Sequence, residues 1–455
     1  MSAAPRRIRS APPSPEPAAR LDDRPEPVER IGKYDIRGLI GEGATSSVYL
    51  AYDPFTGRDV AIKQLHRDVL RDADRDCLHR TLLLNEAALA GKLVHPHIVQ
   101  IHDAAIDDSQ AYIAMEYVPG GTLAAFCRPD SLLPFERLIE IIFRCTRALD
   151  FAFRRGIIHR DIKPANILLV DRDGQDIKIS DFGTAVHAAG DATQVLGVGS
   201  PAYMSPQQVR DMPLNHQTDI HSLGVVMFQL LTGRLPFESD SHYSLLYRIA
   251  HEEAPAPSSI RPDVPEALDA IVRRALEKDL ARRYQDWAEF SHDLAQASRN
   301  RKINADRAEV ADAEKYEALR RLAFFREFSD AELWEIIGFS QWSRAEPGTV
   351  VMKEGESGDH FCLLAEGEAR VVKRGKLLHL LTDGDCFGEM ALFSAGGRAR
   401  SATVEATTAL SVLRIGVAAL ERASDTCRMH FYKAFLEVLS TRLSMANSRI
   451  ANAGP

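Results

Sequence analysis

The sequence lacks several features that would place it in a specialised class of protein. Its six cysteines include no CxxC pair, which argues against a disulfide framework or a zinc site and favours reduced thiols. The strongly apolar run at residues 223–231 is about half the length that crosses a bilayer, and the N-terminus has no signal-peptide core. A net charge of -8 provides no basic field for nucleic acid or anionic lipid. We therefore expect a cytoplasmic protein that binds neither nucleic acid nor membranes.

The composition is that of an ordinary globular protein. Of 455 residues, 45% are hydrophobic, 26% charged and 7% aromatic, and the length suggests two or three structured units. We find no internal repeat. Residues 1–33 carry seven prolines and no apolar periodicity, so they cannot bury enough surface to offset chain entropy. We expect them to form a disordered tail.

The rest of the chain changes its periodicity three times. Short β-branched runs separated by Gly, Asp and Pro dominate from residue 34 to about 123, and apolar residues at helical spacing dominate from about 135 to 296. Residues 298–320 are charged and predict an exposed helical linker. Glycine-punctuated strands at 321–421 predict a small antiparallel barrel or sandwich, and 422–455 include an amphipathic helix. The fold class is therefore α+β.

A glycine-bearing turn and a strand lysine suggest phosphate binding. Gly41 and Gly43 lie between two strand-like runs, where backbone N–H groups can approach anionic oxygens. Lys63 alternates with apolar residues, so an inward position would require anionic partners, for which Glu86 is the candidate. An ordinary hairpin turn, with Ser46 where a third glycine is usual, and a solvent-facing lysine are the simpler alternatives.

The most specific pattern is a second pair of motifs downstream. His159-Arg160-Asp161 leads to Asn166, and Asp181-Phe182-Gly183 begins fifteen residues after that asparagine. Asn166 and Asp181 offer oxygen ligands suited to Mg²⁺. Asp161 can accept a hydroxyl proton and Lys163 can steady a transferring phosphoryl group. Chance does not explain both motifs at this spacing.

Residues 34–297 resemble a eukaryotic-type Ser/Thr protein kinase. The resemblance implies a bilobal fold, ATP and Mg²⁺ as cofactors, and transfer of the γ-phosphate to Ser/Thr hydroxyls of proteins. It also implies that Lys63 pairs with Glu86 and that Asp161 is the catalytic base. The implied adenine-binding residues are Glu116, Val118, Val48, Ala61 and Leu168.

The same resemblance suggests how activity is controlled. Arg160 places a cation where a phosphorylated activation segment could pair with it, and Thr193 is the best candidate for autophosphorylation. A plain loop hydroxyl remains the alternative for Thr193. Ser200 is placed to bond Asp161 and Lys163. Gln207 replaces a glutamate that normally pairs with an arginine, here Arg283, so we expect altered stability rather than lost chemistry.

Residues 321–421 resemble a cyclic-nucleotide-binding domain. The motif residues are Gly388, Glu389, Arg400 and Ser401. The carboxylate of Glu389 can accept a hydrogen bond from a ribose hydroxyl, and the guanidinium of Arg400 can bind a cyclic phosphate. Seven residues separate Leu392 from Arg400 where five are usual, and Arg398 lies nearer the usual count. Either arginine could be the phosphate ligand, or the pocket could be vestigial.

These patterns leave three functional hypotheses. The first is a Ser/Thr kinase regulated by cyclic AMP or cyclic GMP on the same chain. The second is an active kinase whose C-terminal unit is a non-binding docking or dimerisation module, and the third is a pseudokinase scaffold. The terminal stripe of Phe431, Phe435, Val438, Leu439 and Leu443 fits a nucleotide lid, a homodimer helix or a core helix equally well.

Overall fold

The computed structural model describes most of the chain after the first 29 residues. The described residues are 30–43, 45–66, 83–84, 86–89, 92–106, 111–174, 176–182, 186–187, 201–302, 312–389 and 399–452. They form a strand-rich lobe, a helical lobe and a second strand-rich unit with flanking helices. Within these ranges, no helix is both long enough and apolar enough to cross a membrane.

The first lobe is a six-stranded antiparallel sheet in the order β1-β2-β3-β4-β6-β5. Its strands are β1 (Arg30–Ile31), β2 (Tyr34–Glu42), β3 (Ser46–Asp53), β4 (Arg58–Leu65), β5 (Ile101–Ile106) and β6 (Ala111–Glu116). Side chains alternate between the two faces of each strand. In β4, Val60 and Ile62 pack in one cluster while Ala61 and Leu65 pack in another, so both faces of this sheet are covered.

The first strand lies inside the segment that we predicted to be a disordered tail. Arg30 and Ile31 pair with β2, and Ile31 is buried against Tyr34 and Tyr112. The tail prediction is therefore wrong for these residues, because one isoleucine finds an apolar site on the sheet. Residues 1–29 lie outside the described part.

The helical lobe follows and contains most of the core. Its helices are α1 (Phe135–Phe153), α2 (Pro206–Val209), α3 (Gln217–Thr232), α4 (His242–His251), α5 (Glu266–Ala275) and α6 (Trp287–Lys302). Two small two-stranded sheets, β7 (Ile157–Ile158) with β10 (Val186–His187) and β8 (Ile167–Leu169) with β9 (Ile177–Ile179), lie at the junction with the first lobe. The apolar run at 223–231 is the buried centre of α3.

One helix corrects the prediction that the helical linker at 298–320 is exposed. Residues 303–311 lie outside the described part, but α7 (Asp312–Arg321) follows, with α8 (Asp330–Phe339) after it. Ala313, Tyr316 and Leu319 of α7 are fully buried and belong to the same hydrophobic core as α1. Their three-residue spacing, hidden among charged neighbours, gives α7 an apolar stripe that packs on the helical lobe.

The C-terminal unit has two four-stranded antiparallel sheets, which confirms the predicted barrel or sandwich. The sheet orders are β11-β18-β13-β16 and β12-β17-β14-β15. The strands are β11 (Gln341–Ala345), β12 (Val350–Met352), β13 (His360–Glu366), β14 (Ala369–Lys373), β15 (Lys376–Leu381), β16 (Cys386–Phe387), β17 (Thr403–Ala406) and β18 (Leu410–Gly416). Helices α9 (Val417–Glu421) and α10 (Asp425–Asn452) end the described chain.

The stripe that we predicted on the last helix is divided in the structure. Phe431 and Phe435 are fully buried and pack against Phe361 of the barrel, whereas the Leu443 side chain is 63% exposed. The plain core-helix interpretation therefore holds for the first half of α10 only.

Gln207 meets Arg283, as the sequence suggested. Arg283 is fully buried, and its Nη1 donates to Gln207 Oε1 at 3.1 Å. Its remaining contacts are backbone carbonyls of Gln217 and Glu277. Burial lowers the pKa of Arg283 to about 10, and the charge of Glu277 offsets this effect only in part.

We predict that Gln207→Glu stabilises the protein by about 1 kcal/mol, because the Arg283 guanidinium would then bond an anionic acceptor in place of a neutral amide oxygen. The desolvation of Arg283 is already present, and the substitution loses only a 3.4 Å bond to the Lys278 carbonyl. Urea denaturation would measure the change, with Gln207→Leu as the control that loses stability. A lower free energy of unfolding for the glutamate variant would show that desolvation of the carboxylate outweighs the stabilisation from its ion pair with Arg283.

Candidate active site and nucleotide cassette

Lys63 lies where the two lobes meet. It points from β4 into the cleft, in register with Val48 of β3 and Ile113 of β6. Its Nζ lies 2.9 Å from Glu86 Oε2 and also contacts Asp181 Oδ1. Because the strand alternation turns Lys63 inward, its ammonium is removed from water and requires these anions.

The charges of this cluster depend on one another. Burial disfavours the ammonium of Lys63, but the carboxylates of Asp181 and Glu86 outweigh it and raise the pKa of Lys63. Burial likewise disfavours the ionised form of Asp181, yet Lys63 holds the pKa of this carboxyl below its ordinary value. Asp181 is therefore an anion held between a lysine and the open cleft.

The loop between β7 and β8 carries the other predicted catalytic residues. Lys163 Nζ lies 2.6 Å from Asp161 Oδ2. Asn166 Nδ2 donates to the backbone carbonyl of Asp161 at 2.9 Å and to its Oδ2 at 3.2 Å. A short 3-10 turn at Pro164–Asn166 brings these side chains together.

Asp219 of α3 fixes this loop from below. Its two carboxylate oxygens accept hydrogen bonds from the backbone N–H groups of His159 and Arg160, each at 2.8 Å. Arg160 has a φ of 71°, and Asp181 has a φ of 68°, a left-handed conformation that is strained for residues with a side chain. The buried carboxylate of Asp219 compensates the strain at Arg160 with two charge-assisted hydrogen bonds.

The apolar residues predicted to bind adenine belong to one cluster. Val48, Val118 and Leu168 pack against the buried residues that include Ala61. Glu116 ends β6, and its carboxylate lies 3.0 Å from Lys178 Nζ. Since Leu168 comes from β8 and Val48 from β3, this apolar cluster lies where the two lobes meet.

The glycine turn lies above the same cleft. Gly41 pairs with Val48, and the N–H of Gly43 donates to Ser46 O at 2.8 Å. A Cβ on Gly43 would lie 3.3 Å from that carbonyl, a tight contact. Ala44, between Gly43 and Thr45, lies outside the described residues.

The donor set fits a magnesium ion. Asn166 uses its amide nitrogen toward Asp161, which directs its oxygen elsewhere, and Asp181 is ionised. In the described ranges no group of three or more His, Cys, Asp or Glu is arranged to hold a metal. Two oxygen ligands are the usual protein share for magnesium, whose other ligands are phosphate oxygens and water.

Of the residues predicted to regulate activity, Arg160 lies within the described part of the chain. The pKa of Arg160 is lowered by burial, and its Nε is buried without a hydrogen-bond partner among the described residues. Thr193 and Ser200, with Gly183 of the metal-binding motif, lie outside the described residues.

Arg400 lies within the C-terminal barrel. It is 6% exposed, and its Nη1 donates to the carbonyl of Gly388 at 3.1 Å. A Cβ on Gly358 would lie 2.1 Å from the guanidinium carbon, and one on Gly388 would lie 2.7 Å from Nη1. Both positions must therefore be glycine for the guanidinium to lie here. Its Nη2 is buried and has no hydrogen-bond partner among the described residues.

Glu389 lines a cavity next to Arg400, and its carboxylate is paired with another arginine. Glu389, Arg400 and Ser401 line a space of about 1010 Å³. Arg442 of α10 reaches Glu389 Oε1 at 2.8 Å and also contacts the carbonyl of Cys386. We did not predict Arg442, although its position one helical turn after Val438 would have indicated that it faces the barrel. Arg398, the alternative phosphate ligand, lies outside the described residues.

Comparison with known proteins agrees with this geometry. Residues 34–294 match the protein kinase domain family, and residues 342–427 match the cyclic nucleotide-binding domain family. The chain belongs to the protein kinase family, because that match covers more than half of it.

Similar proteins are bacterial kinases. One, named probable serine/threonine-protein kinase, from Streptomyces coelicolor, is 39% identical over 278 residues, covering 59% of this chain and 40% of that protein. Serine/threonine-protein kinase PknB from Mycobacterium leprae is 38% identical over 270 residues, covering 58% of this chain and 42% of its own length. The chain thus spans less than half the length of these relatives.

We predict that Lys63→Met lowers kcat/KM for phosphoryl transfer at least about 100-fold, as loss of a preorganised charge does. The protein should remain folded, because methionine occupies a similar volume. Steady-state kinetics and circular dichroism would measure the two effects. Lys92→Met, at an exposed lysine of the same lobe, is the matched control. A wild-type rate for Lys63→Met would contradict the role assigned to this residue.

Proposed function

We propose that the chain is an ATP-dependent protein Ser/Thr kinase, with residues 34–297 as the catalytic domain and 321–421 as a regulatory cyclic-nucleotide-binding domain. One observation carries the first half of this proposal. Lys63, Glu86 and Asp181 form one charge cluster at the mouth of a cleft that also holds the Asp161 loop. These groups are far apart in sequence, and phosphoryl transfer is the reaction that requires them together.

Each residue has a separate task in the proposed reaction. Lys63, held by Glu86, binds the α- and β-phosphates, while the apolar space lined by Ala61 receives adenine. Asp161 accepts the proton of the substrate hydroxyl, and Lys163 stabilises charge on the transferring group. Asn166 and Asp181 would hold magnesium, which when bound neutralises phosphate charge.

The proposal extends to control by phosphorylation. Arg160 has a buried Nε without a partner among the described residues, and a phosphorylated Thr193 would supply the missing anion. The strained backbone of Arg160 adjoins Asp161, so an anion paired with Arg160 would stabilise the loop in its catalytic conformation.

Incubation with labelled ATP and a generic Ser/Thr substrate protein tests the catalytic proposal. We expect phosphate on serine and threonine of the substrate and on the chain itself, and none with Asp161→Ala. Thr193→Ala should reduce autophosphorylation and slow substrate turnover. A wild-type chain as inactive as Asp161→Ala would favour the pseudokinase alternative.

We further propose that the C-terminal cassette binds a cyclic nucleotide and regulates the kinase. The buried guanidinium of Arg400, whose Nη2 has no acceptor in the described part of the chain, supports an anion site, because a buried N–H without an acceptor is costly. Glu389 supplies a carboxylate on the wall of the same cavity for a ribose hydroxyl. Such a ligand would act on the kinase only by binding one arrangement of the chain more tightly than another.

Calorimetric titration of the whole chain with cyclic AMP and cyclic GMP tests the cassette. We expect saturable heat from at least one of them, lost in Arg400→Ala because the cyclic phosphate then has no cation. Arg398→Ala is the matched control and should bind as wild type does; the opposite result would assign the phosphate to Arg398. No heat up to millimolar nucleotide, with kinase activity present, would favour the docking-module alternative.

A further inference from the structure

The C-terminal unit is joined to the helical lobe through buried side chains of α1. Arg144 Nη2 lies 2.6 Å from Asp312 Oδ2 of α7. Arg147 Nη2 donates to the Tyr316 hydroxyl at 2.7 Å and lies 3.3 Å from Asp330 Oδ2 of α8. Both arginines are at most 4% exposed. Asp176 lies 3.4 Å from Arg144 and Asp150 lies 3.7 Å from Arg147, so removal of the α7 and α8 partners would leave the two buried charges only partly compensated.

Trp334 of α8 lies at the centre of this contact and is 7% exposed. Its ring stacks on Tyr316 with a centroid distance of 5.2 Å. It also meets the ring of His97 edge-on, with a centroid distance of 4.7 Å. His97 belongs to the kinase part of the chain, in the segment that precedes β5.

His97 in turn holds the strand that leads to Asp181. Its backbone carbonyl accepts a hydrogen bond from Ile179 N at 2.9 Å, and its Nδ1 donates to Ile177 O at 3.3 Å. Ile179 is two residues before Asp181, and Val99 N donates to its carbonyl at 2.9 Å. The position of Asp181 therefore depends on β9, and β9 is bonded to the residue on which Trp334 packs.

Helix α8, which carries Trp334, is also bonded to residues at the C-terminal end of the cyclic-nucleotide-binding unit. His430 Nδ1 lies 2.8 Å from Glu332 Oε1, and the backbone N–H of Ser424 donates to Glu335 Oε1 at 2.6 Å. These contacts fix α8 to α10, the helix that carries Arg442 to the cassette carboxylate. An uninterrupted series of contacts thus runs from the nucleotide cassette to the strand before Asp181.

We infer that Trp334 is a positioning residue for phosphoryl transfer, acting through His97 and β9 on the metal-binding carboxylate of Asp181. The α7–α8 pair is then the surface by which the cassette domain acts on the kinase domain. The inference rests on the proposed kinase function. Packed contacts and hydrogen bonds of this kind couple distant sites only when a change at one end shifts the equilibrium at the other, so the test must measure coupling.

The first experiment compares Trp334→Ala with Trp342→Ala in the full chain. Trp342 is a half-buried tryptophan on β11 with a hydrogen bond to Ser340, and neither residue belongs to the kinase part. We expect Trp334→Ala to lower kcat about tenfold and to raise the magnesium concentration needed for half-maximal rate, with the KM for substrate protein unchanged. Trp342→Ala should leave all three at wild-type values, and Trp334→Phe should restore the rate because it keeps a ring against His97.

Calorimetric binding of ADP with magnesium provides a readout that does not need turnover. We expect Trp334→Ala to weaken the magnesium-dependent part of ADP binding and to leave metal-free binding unchanged. A wild-type chain without kinase activity would overturn the proposed function, while this binding comparison would still decide the role of Trp334. Trp334→Leu, which retains apolar volume without the ring, replaces the alanine variant if circular dichroism shows that the latter is unfolded.

A double-mutant cycle with His97→Leu decides whether the effect passes through the histidine. We expect the double variant to be no slower than the more damaging single variant, because both changes interrupt one path. Additive losses in kcat would overturn the path through His97. Wild-type kcat and magnesium dependence in Trp334→Ala would overturn the inference as a whole.

Discussion

The structure depends above all on charges that are buried and must therefore be compensated. Lys63 is the clearest case, since its ammonium lies at the junction of two lobes and contacts Glu86 and Asp181 from separate parts of the chain. An ammonium in such a place is tolerated only when anions meet it. Because Lys63 needs both carboxylates, the two lobes must be arranged so that Glu86 and Asp181 reach it. The same arrangement assembles the site.

The same condition recurs away from the cleft, with different solutions. Asp219 is satisfied by two backbone N–H groups and thereby holds a strained loop, whereas Arg283 is satisfied mainly by carbonyl oxygens. Arg147 is satisfied by Tyr316 and Asp330 from the C-terminal half of the chain, with Asp150 of its own helix at 3.7 Å. A helix of the kinase lobe therefore receives part of its electrostatic compensation from the neighbouring unit.

This dependence gives the two units a common core. Apolar residues of α1, α7, α8 and α10 belong to one continuous hydrophobic cluster that extends into the barrel. Interiors are packed too closely to deform gradually, so a rearrangement at the cassette would have to be accommodated by movement of whole helices. The contact of Trp334 with His97 lies where such a movement would reach β9, the strand before Asp181.

By itself the sequence determined the parts whose chemistry is local. Glycines at the turn, the His159-Arg160-Asp161 run and the spacing to Asp181 predicted the kinase fold, and period-two alternation predicted the barrel, because each of these is encoded within a few neighbouring residues. The tertiary structure decided what depends on distant partners. It placed α7 in the core rather than in solvent, paired Arg442 with Glu389, and brought Trp334 against His97. A charged segment such as 312–321 has the composition of an exposed linker, but its apolar residues pack in the core and its polar groups pair with the buried arginines of another helix.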